Sequence, residues 1–439
     1  MSSNVSLTGL ARDLKARADS GRPIRVGVIG SGEMGTDLVT QGMLMEGIQI
    51  AAISTRRPHT ALDAARIAYG EDGHAREANT ASKVTETIEA GKIAVTSNDL
   101  LVTNPLLDVV IDATGKPGVA ADFCLSAMEH GKHLVMMNVE ADVTIGPYLK
   151  KEADRLGVVY SVGAGDEPSS CMELIEFASA LGYRIVSAGK GKNNPLNHDA
   201  VPDDYREEAI RRNMNPRMLV EFVDGSKTMV EMCAIANATG LVPDVPGMHG
   251  PNVDRDNLAK VLIPEADGGV LKKKGVVDYT IGKGVAPGVF VVVEAEHPRI
   301  IERMDDLHIG KGPYYAFFRP YHLTSLEVPL TCARIMLYGK PDMVPLAQPV
   351  AEVCAVAKRD LAVGETFDAI GETCYRSYTM TIGDARAAHA VPVGLLEGGK
   401  VLQPVRKGEL LTTRNATPDT GTNLYRLRQR QDQMFGIEN

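Results

Sequence analysis

Along the first third of the chain, apolar positions fall into two textures. Leu7, Leu10, Ala11 and Leu14 recur at helical spacing, as do stretches in Val119–His130 and Ile145–Leu156. Between them lie short, compact β-type runs: Ile24–Ile29, Gln49–Ser54, Val109–Ala113, His133–Met137 and Val158–Val162. Strands alternating with helices predict a parallel sheet joined by right-handed crossovers. The middle third continues with a helical run Cys171–Leu181, a strand Tyr183–Lys190, a helix Met229–Ala238 and a strand Val289–Glu294. Leu326–Tyr338 reads as a helix that returns to the first domain. From about Met343 the texture changes to short strands with glycine turns, and the phrase Leu361–Phe367 is echoed at Val405–Leu411. A basic helix, Asn423–Phe435, is expected to dock on another element or on a second subunit.

At 439 residues the chain exceeds one compact core, since domains run to roughly 100–200 residues. Apolar residues make up 44% and charged residues 23%, an ordinary globular mix. A net charge of −9 argues against nucleic acid or an anionic membrane as partner. Scarce aromatics (8 Phe, 13 Tyr, no Trp) argue against a base-stacking platform. The six cysteines form no CxxC pair, which fits buried, inert thiols, Cys171 and Cys233 included, in a reducing compartment. With no signal-type leader and no long apolar stretch in the sequence, a cytoplasmic location is expected, and homo-oligomerisation, as a dimer, is the default.

The strand Ile24–Ile29 runs straight into Gly30, Ser31, Gly32, Glu33, Met34 and Gly35, and a helical pattern follows. Glycines in this order make a tight turn, let backbone approach a pyrophosphate and let the helix pack on the strand. The pyrophosphate then sits on the helix's positive end. The next strand ends in Ser54, Thr55, Arg56 and Arg57, where an NAD site carries an acidic residue; hydroxyls and guanidiniums suit a 2′-phosphate, so NADPH is the expected cofactor. Ala113, Thr114 and Gly115 close the VVIDATG turn at the sheet's carboxyl edge, where the nicotinamide half should lie; Lys116, Asn138 and Glu140 fall in the same row. The first 162 residues thus read as a Rossmann-type parallel-sheet domain.

After Val162 come Gly163–Ser170, with Asp166 and Glu167 before Pro168. The carboxylates can cap the helix that follows or serve Mg²⁺ or Mn²⁺ as hard oxygen ligands; Ser169 and Ser170 near a helix start suit a phosphate. Lys190, Lys192, Asn193 and Asn194 form a dense donor set, readable as an anion site or as a solvated loop. Lys227 and Glu231 lie farther on, and Gly312–Pro320 places Arg319 and His322 beside four aromatics.

The phrases GSGEMG, VIDATG, GAGDEPSS, GKGKNNPLN and GPYYAFFRPYHL together resemble the homoserine-dehydrogenase-like oxidoreductases that carry a C-terminal SAF module, and within them the deoxyxylulose-phosphate-reductoisomerase-like (DRL) group. The resemblance implies three parts: the cofactor domain at 1–162, an α+β catalytic domain at 163–342 and a small β-rich SAF-like domain at 343–439. It implies NADPH-dependent conversion of 1-deoxy-D-xylulose 5-phosphate, a small phosphorylated sugar, to 2-C-methyl-D-erythritol 4-phosphate, in isoprenoid precursor synthesis, with a divalent metal. Asp166 and Glu167 stand where the standard reductoisomerase has a D-x-E metal phrase, but the spacing differs, so their metal role is analogy, with Glu231 a third candidate. Under this reading Lys190, Lys192 and Arg319 take the phosphate and developing oxyanions, Ser169, Asn193 and Asn194 orient hydroxyls, and His322 carries a proton or binds phosphate. Lys227 belongs to the same basic group. Simple oxidation of homoserine or a sugar acid, and a non-catalytic nucleotide sensor, are the alternatives.

Overall fold

The computed structural model describes residues 7–192, 195–212 and 214–436. It divides into two compact units: 1–141, 148–166 and 323–344 in the first, and 142–147, 167–322 and 345–439 in the second. The helix Val139–Leu156 is thus shared by the two.

In the first unit, β1 (Ile24–Ile29) is buried everywhere but at Arg25, the pattern of a strand covered on both faces. With β2 (Ile48–Ser54), β3 (Ala75–Glu77), β4 (Ile93–Thr96), β5 (Val109–Asp112), β6 (His133–Met136) and β7 (Tyr160–Val162) it forms a sheet ordered β3-β4-β2-β1-β5-β6-β7. Every pairing is parallel. The fold is the expected α/β with a Rossmann-like sheet. Two of its strands, β3 and β4, lie outside the runs read from sequence. The helix Val328–Tyr338 does return here: Val328, Cys332, Ala333 and Ile335 share a core with Val26, Val28, Ile111 and Val135. Residues 323–344 therefore belong to the first unit and residues 345–439 to the second. Asn138 is a helix cap rather than a strand end; its side chain accepts from the Ala141 N–H, and Glu140 is already helical.

The second unit is built on a mixed sheet, β12-β11-β8-β10-β9. Its strands are β8 (Arg184–Gly191), β9 (Val242–Pro243), β10 (Val276–Thr280), β11 (Val289–Glu294) and β12 (Tyr314–Arg319). The segment expected as an aromatic loop is thus β12, antiparallel to β11. Val186, Val276, Phe290 and Val292 form the sheet's core with Leu258, Leu262 and Leu271. The chain after 345 adds an antiparallel ribbon, β13 (Ala351–Ala357) with β14 (Tyr375–Thr381). Leu361 and Val405, the first residues of the two echoed phrases, pair with each other. The helix Asn423–Phe435 docks inside this unit through Arg428, which is buried against Glu352 and lies 2.7 Å from Asp432.

Candidate active site

The first unit carries a cradle at the carboxyl ends of β1 and β5, where the strand order reverses and open α/β sheets bind their ligands. Three glycines make it possible. Gly30 has φ +111°, and a Cβ there would stand 2.6 Å from the Ala113 carbonyl oxygen. At Gly35 a Cβ would meet the Gly30 carbonyl oxygen at 2.3 Å, so the helix Glu33–Leu44 packs tightly against the turn. Gly32 caps that helix and has open space before it, which leaves its N–H groups accessible to a pyrophosphate. Glu33 and Gly32 are exposed, Met34 is half-buried, and Ser31 is held by Thr60 at 2.5 Å.

At the end of β2, Ser54 is buried and donates to Asn98 at 2.5 Å; Thr55 is half-buried, and Arg56 and Arg57 are exposed. At the end of β5, the buried Asp112 accepts from the Thr114 N–H at 2.9 Å, the Thr114 hydroxyl at 2.7 Å and Asn138 Nδ2 at 3.0 Å. Burial pushes its carboxyl up to about 6, against the pull of these donors. The network fixes the turn Ala113–Thr114–Gly115, in which Gly115 takes φ +59°. The order in Asp112 and Asn138 is a feature the sequence reading missed: the VVIDATG run shows the strand, but not that its aspartate points inward.

In the second unit, chemistry gathers at the end of β8. Lys190, 5% exposed, donates to Glu167 Oε1 at 2.5 Å and to Glu231 Oε2 at 2.5 Å. Burial works to discharge the ammonium, but the two carboxylates override it and raise its pKa. Glu167 opens the helix Glu167–Ala180, and Glu231 lies within the helix Ser226–Thr239. Glycines flank the lysine because neighbours crowd it: a Cβ at Gly189 would lie 1.6 Å from the Asp278 carbonyl oxygen, and one at Gly191 1.9 Å from that of Val285. His322 Nε2 reaches Glu167 Oε1 at 3.4 Å. Lys192 is buried and donates to the Phe222 carbonyl at 2.5 Å; burial first, then the charge of Lys190, lower its pKa to about 8.

The expected basic group is therefore not a uniform anion clamp. Lys190 is held by two carboxylates, and Arg319 donates to Ser170 at 2.9 Å and Glu173 at 3.0 Å. Lys227 is half-buried in the first turn of its helix. Ser169 is buried, and its Oγ has no hydrogen-bond partner among the described residues. Asn193 and Asn194 lie outside the described residues. Asp166 ends the first unit's segment 148–166 and is half-buried. The pair Glu167 and Glu231 does not fit a divalent ion between them, because Lys190 already supplies the positive charge there. All six cysteines are buried, and burial pushes the Cys171 thiol up to about 12, far from a reactive thiolate.

Two family models divide most of the chain. Residues 27–162 match the homoserine dehydrogenase NAD-binding domain, and residues 165–328 match the catalytic domain of the oxidoreductase DRL. The chain is an NAD(P)-dependent oxidoreductase. No curated protein sequence matches it. Among solved structures it is similar to a probable dehydrogenase from Thermotoga maritima (15% identity over 74% of this chain and 91% of that one, TM-score 0.42). Others are DOX-P reductoisomerase in complex with magnesium (12%, 73% and 70%, 0.39) and scyllo-inositol dehydrogenase from Lactobacillus casei with bound NAD(H) and scyllo-inositol (14%, 62% and 74%, 0.35).

Proposed function

We propose that the chain is an NADPH-dependent reductoisomerase that converts 1-deoxy-D-xylulose 5-phosphate to 2-C-methyl-D-erythritol 4-phosphate. The observation that carries this reading is the buried Glu167–Lys190–Glu231 triad, inside the span that matches the DRL catalytic domain. A skeletal rearrangement needs a fixed positive donor on the carbonyl oxygen and a base for a hydroxyl proton. Lys190, kept charged by its carboxylates, supplies the first. Lys192, with a pKa near the working range, supplies the second. Ser169 offers its buried Oγ to a substrate hydroxyl, and His322, against Glu167, relays a proton. Bound NADPH supplies the hydride that reduces the rearranged aldehyde. Gly30–Gly35 receive its pyrophosphate and Arg56 and Arg57 its 2′-phosphate. A divalent ion held by Asp166 and Glu167 would polarise the ketose carbonyl and hydroxyl together.

The test is purified protein with deoxyxylulose phosphate and NADPH, following NADPH loss and product identity by NMR, with the standard reductoisomerase as positive control. Consumption with the methylerythritol phosphate product supports the reading. Its absence removes it. Reduction of NADP⁺ by homoserine or a sugar acid in the same preparation would put simple dehydrogenation in its place.

A further inference from the structure

The ribbon strand β14 brings an arginine that nothing in the sequence marks. Along it, the Ser377 N–H donates to Ser226 Oγ at 2.9 Å and the Thr379 hydroxyl to the Met229 carbonyl at 2.7 Å. These positions face the helix Ser226–Thr239 that carries Glu231. Strand alternation puts Arg376 and Tyr378 on the opposite face. Tyr378 donates to the Pro246 carbonyl at 2.9 Å, and the Gly247 N–H donates to the Thr379 carbonyl at 2.8 Å, which seats the ribbon on the Gly240–Gly250 passage. The end of that passage packs on Tyr279: a Cβ at Gly250 would lie 2.3 Å from its ring. Tyr279 in turn is the residue of β10 paired with Lys190 of β8, and the Lys192 N–H donates to the neighbouring Thr280 carbonyl at 2.8 Å. Arg376, on the same ribbon face as Tyr378, thus lies on the side of β14 that meets this passage.

The Arg376 guanidinium is half-buried, makes no ion pair among the described residues and lies 5.7 Å from the centre of the Tyr378 ring. The acidic groups that act on it are already matched. Asp224 lies 2.7 Å from Lys358, a buried lysine that also donates to the carbonyls of Ala200 and Glu372. Asp199 lies 2.6 Å from Lys407. A guanidinium withdrawn this far from water ordinarily finds a carboxylate, and its planar fork suits two oxygens of a tetrahedral anion. By contrast Arg319 and Lys190 both have carboxylates of their own.

We propose that Arg376 anchors the anionic end of the substrate, a phosphate monoester, so that the C-terminal ribbon completes the catalytic site of the second unit. The proposal rests on the reading of β8 as the reacting end of a phosphosugar site, and it moves the phosphate away from Lys190 and Arg319.

Inorganic phosphate is the probe, titrated into the full-length protein and followed by calorimetry, alongside the steady-state assay. Losing a charge-assisted fork should weaken phosphate binding about 10–100-fold in Arg376→Met and raise the KM of the phosphosugar by a similar factor, with kcat within about threefold. NADPH affinity and the melting temperature should stay at wild-type values. Arg376→Lys, which keeps the charge, should lose only part of the affinity and serves if the methionine variant does not fold. Phosphate affinity unchanged in both variants overturns the subsite, whatever the turnover. Phosphate held through Arg376 by an enzyme that ignores deoxyxylulose phosphate keeps the subsite and removes the reductoisomerase reading.

Discussion

Lys190 Nζ lies 2.5 Å from Oε2 of Glu231, a carboxylate with no solvent exposure, and the same ammonium reaches Glu167 at equal distance. Three charges removed from water in this way are costly to assemble and costlier to unbalance. They therefore tie β8 to two helices and at the same time hold one ammonium in a single place with its proton retained. Preorganised positive charge of this kind assists a developing oxyanion without reorganising during reaction.

Lys190→Met should accordingly cost about 3–5 kcal/mol of unfolding free energy, because two buried carboxylates lose their counter-charge. Urea denaturation reads this directly. Turnover should fall about 10²–10³-fold as the oxyanion donor is lost. Wild-type stability in this variant would show that the ammonium does not bridge the pair.

Lys192 makes a statement about pH. With its pKa brought to about 8 by burial and by Lys190, it is neutral, and able to accept a proton, only above that value. The profile of kcat/KM should rise with pH through about 8 and then level. Lys192→Arg stays protonated throughout, so the rising limb should vanish together with most of the rate. An unaltered profile in that variant assigns the proton transfer to another group.

Asp112 links the cofactor turn to stability. Its carboxyl titrates at about 6 in the folded chain against an ordinary 3.8, so the folded state holds the extra proton between those values. Stability from this group is therefore highest below about 4, declines as pH rises to about 6, and the cost, on the order of 3 kcal/mol, is fully present above that. Asp112→Asn should flatten this decline. Comparing urea midpoints of the two proteins at mildly acidic and neutral pH checks the sign; parallel curves would contradict it.

Arg56 and Arg57 are exposed at the end of β2, with no acidic residue in the Ser54–Arg57 turn. Replacing both by alanine should raise the KM for NADPH about 10–100-fold through lost charge-assisted hydrogen bonds, and leave that for NADH nearly unchanged. A wild-type enzyme that works better with NADH would remove the assignment altogether.

Much of the frame is legible without coordinates. Ile24–Ile29, Val289–Glu294 and Asn423–Phe435 occupy the spans their patterns predict: the two strands are compact apolar runs buried on both faces, and the helix buries Leu424, Leu427, Arg428 and Gln431 at helical spacing. The return of Leu326–Tyr338 to the first unit follows from an apolar helical face that needs a cover. The strands Ala75–Glu77 and Ile93–Thr96 give no such signal, and Tyr375–Thr381 hides its alternation behind tyrosines and an arginine.

The candidate site divides in the same way. Local order alone determines the glycine turn at Gly30–Gly35, since the conformations it needs and the close approach of Ala113 are demands on successive residues. The charges of Lys190, Lys192 and Arg319 are equally plain in the sequence, and there they read as one basic cluster. Only the tertiary structure decides which of those charges is spoken for. Glu167 stands 23 residues before Lys190 and Glu231 41 after it, and Arg376 comes from the far ribbon. Electrostatic partnership depends on distance and burial, neither of which is set by spacing along the chain.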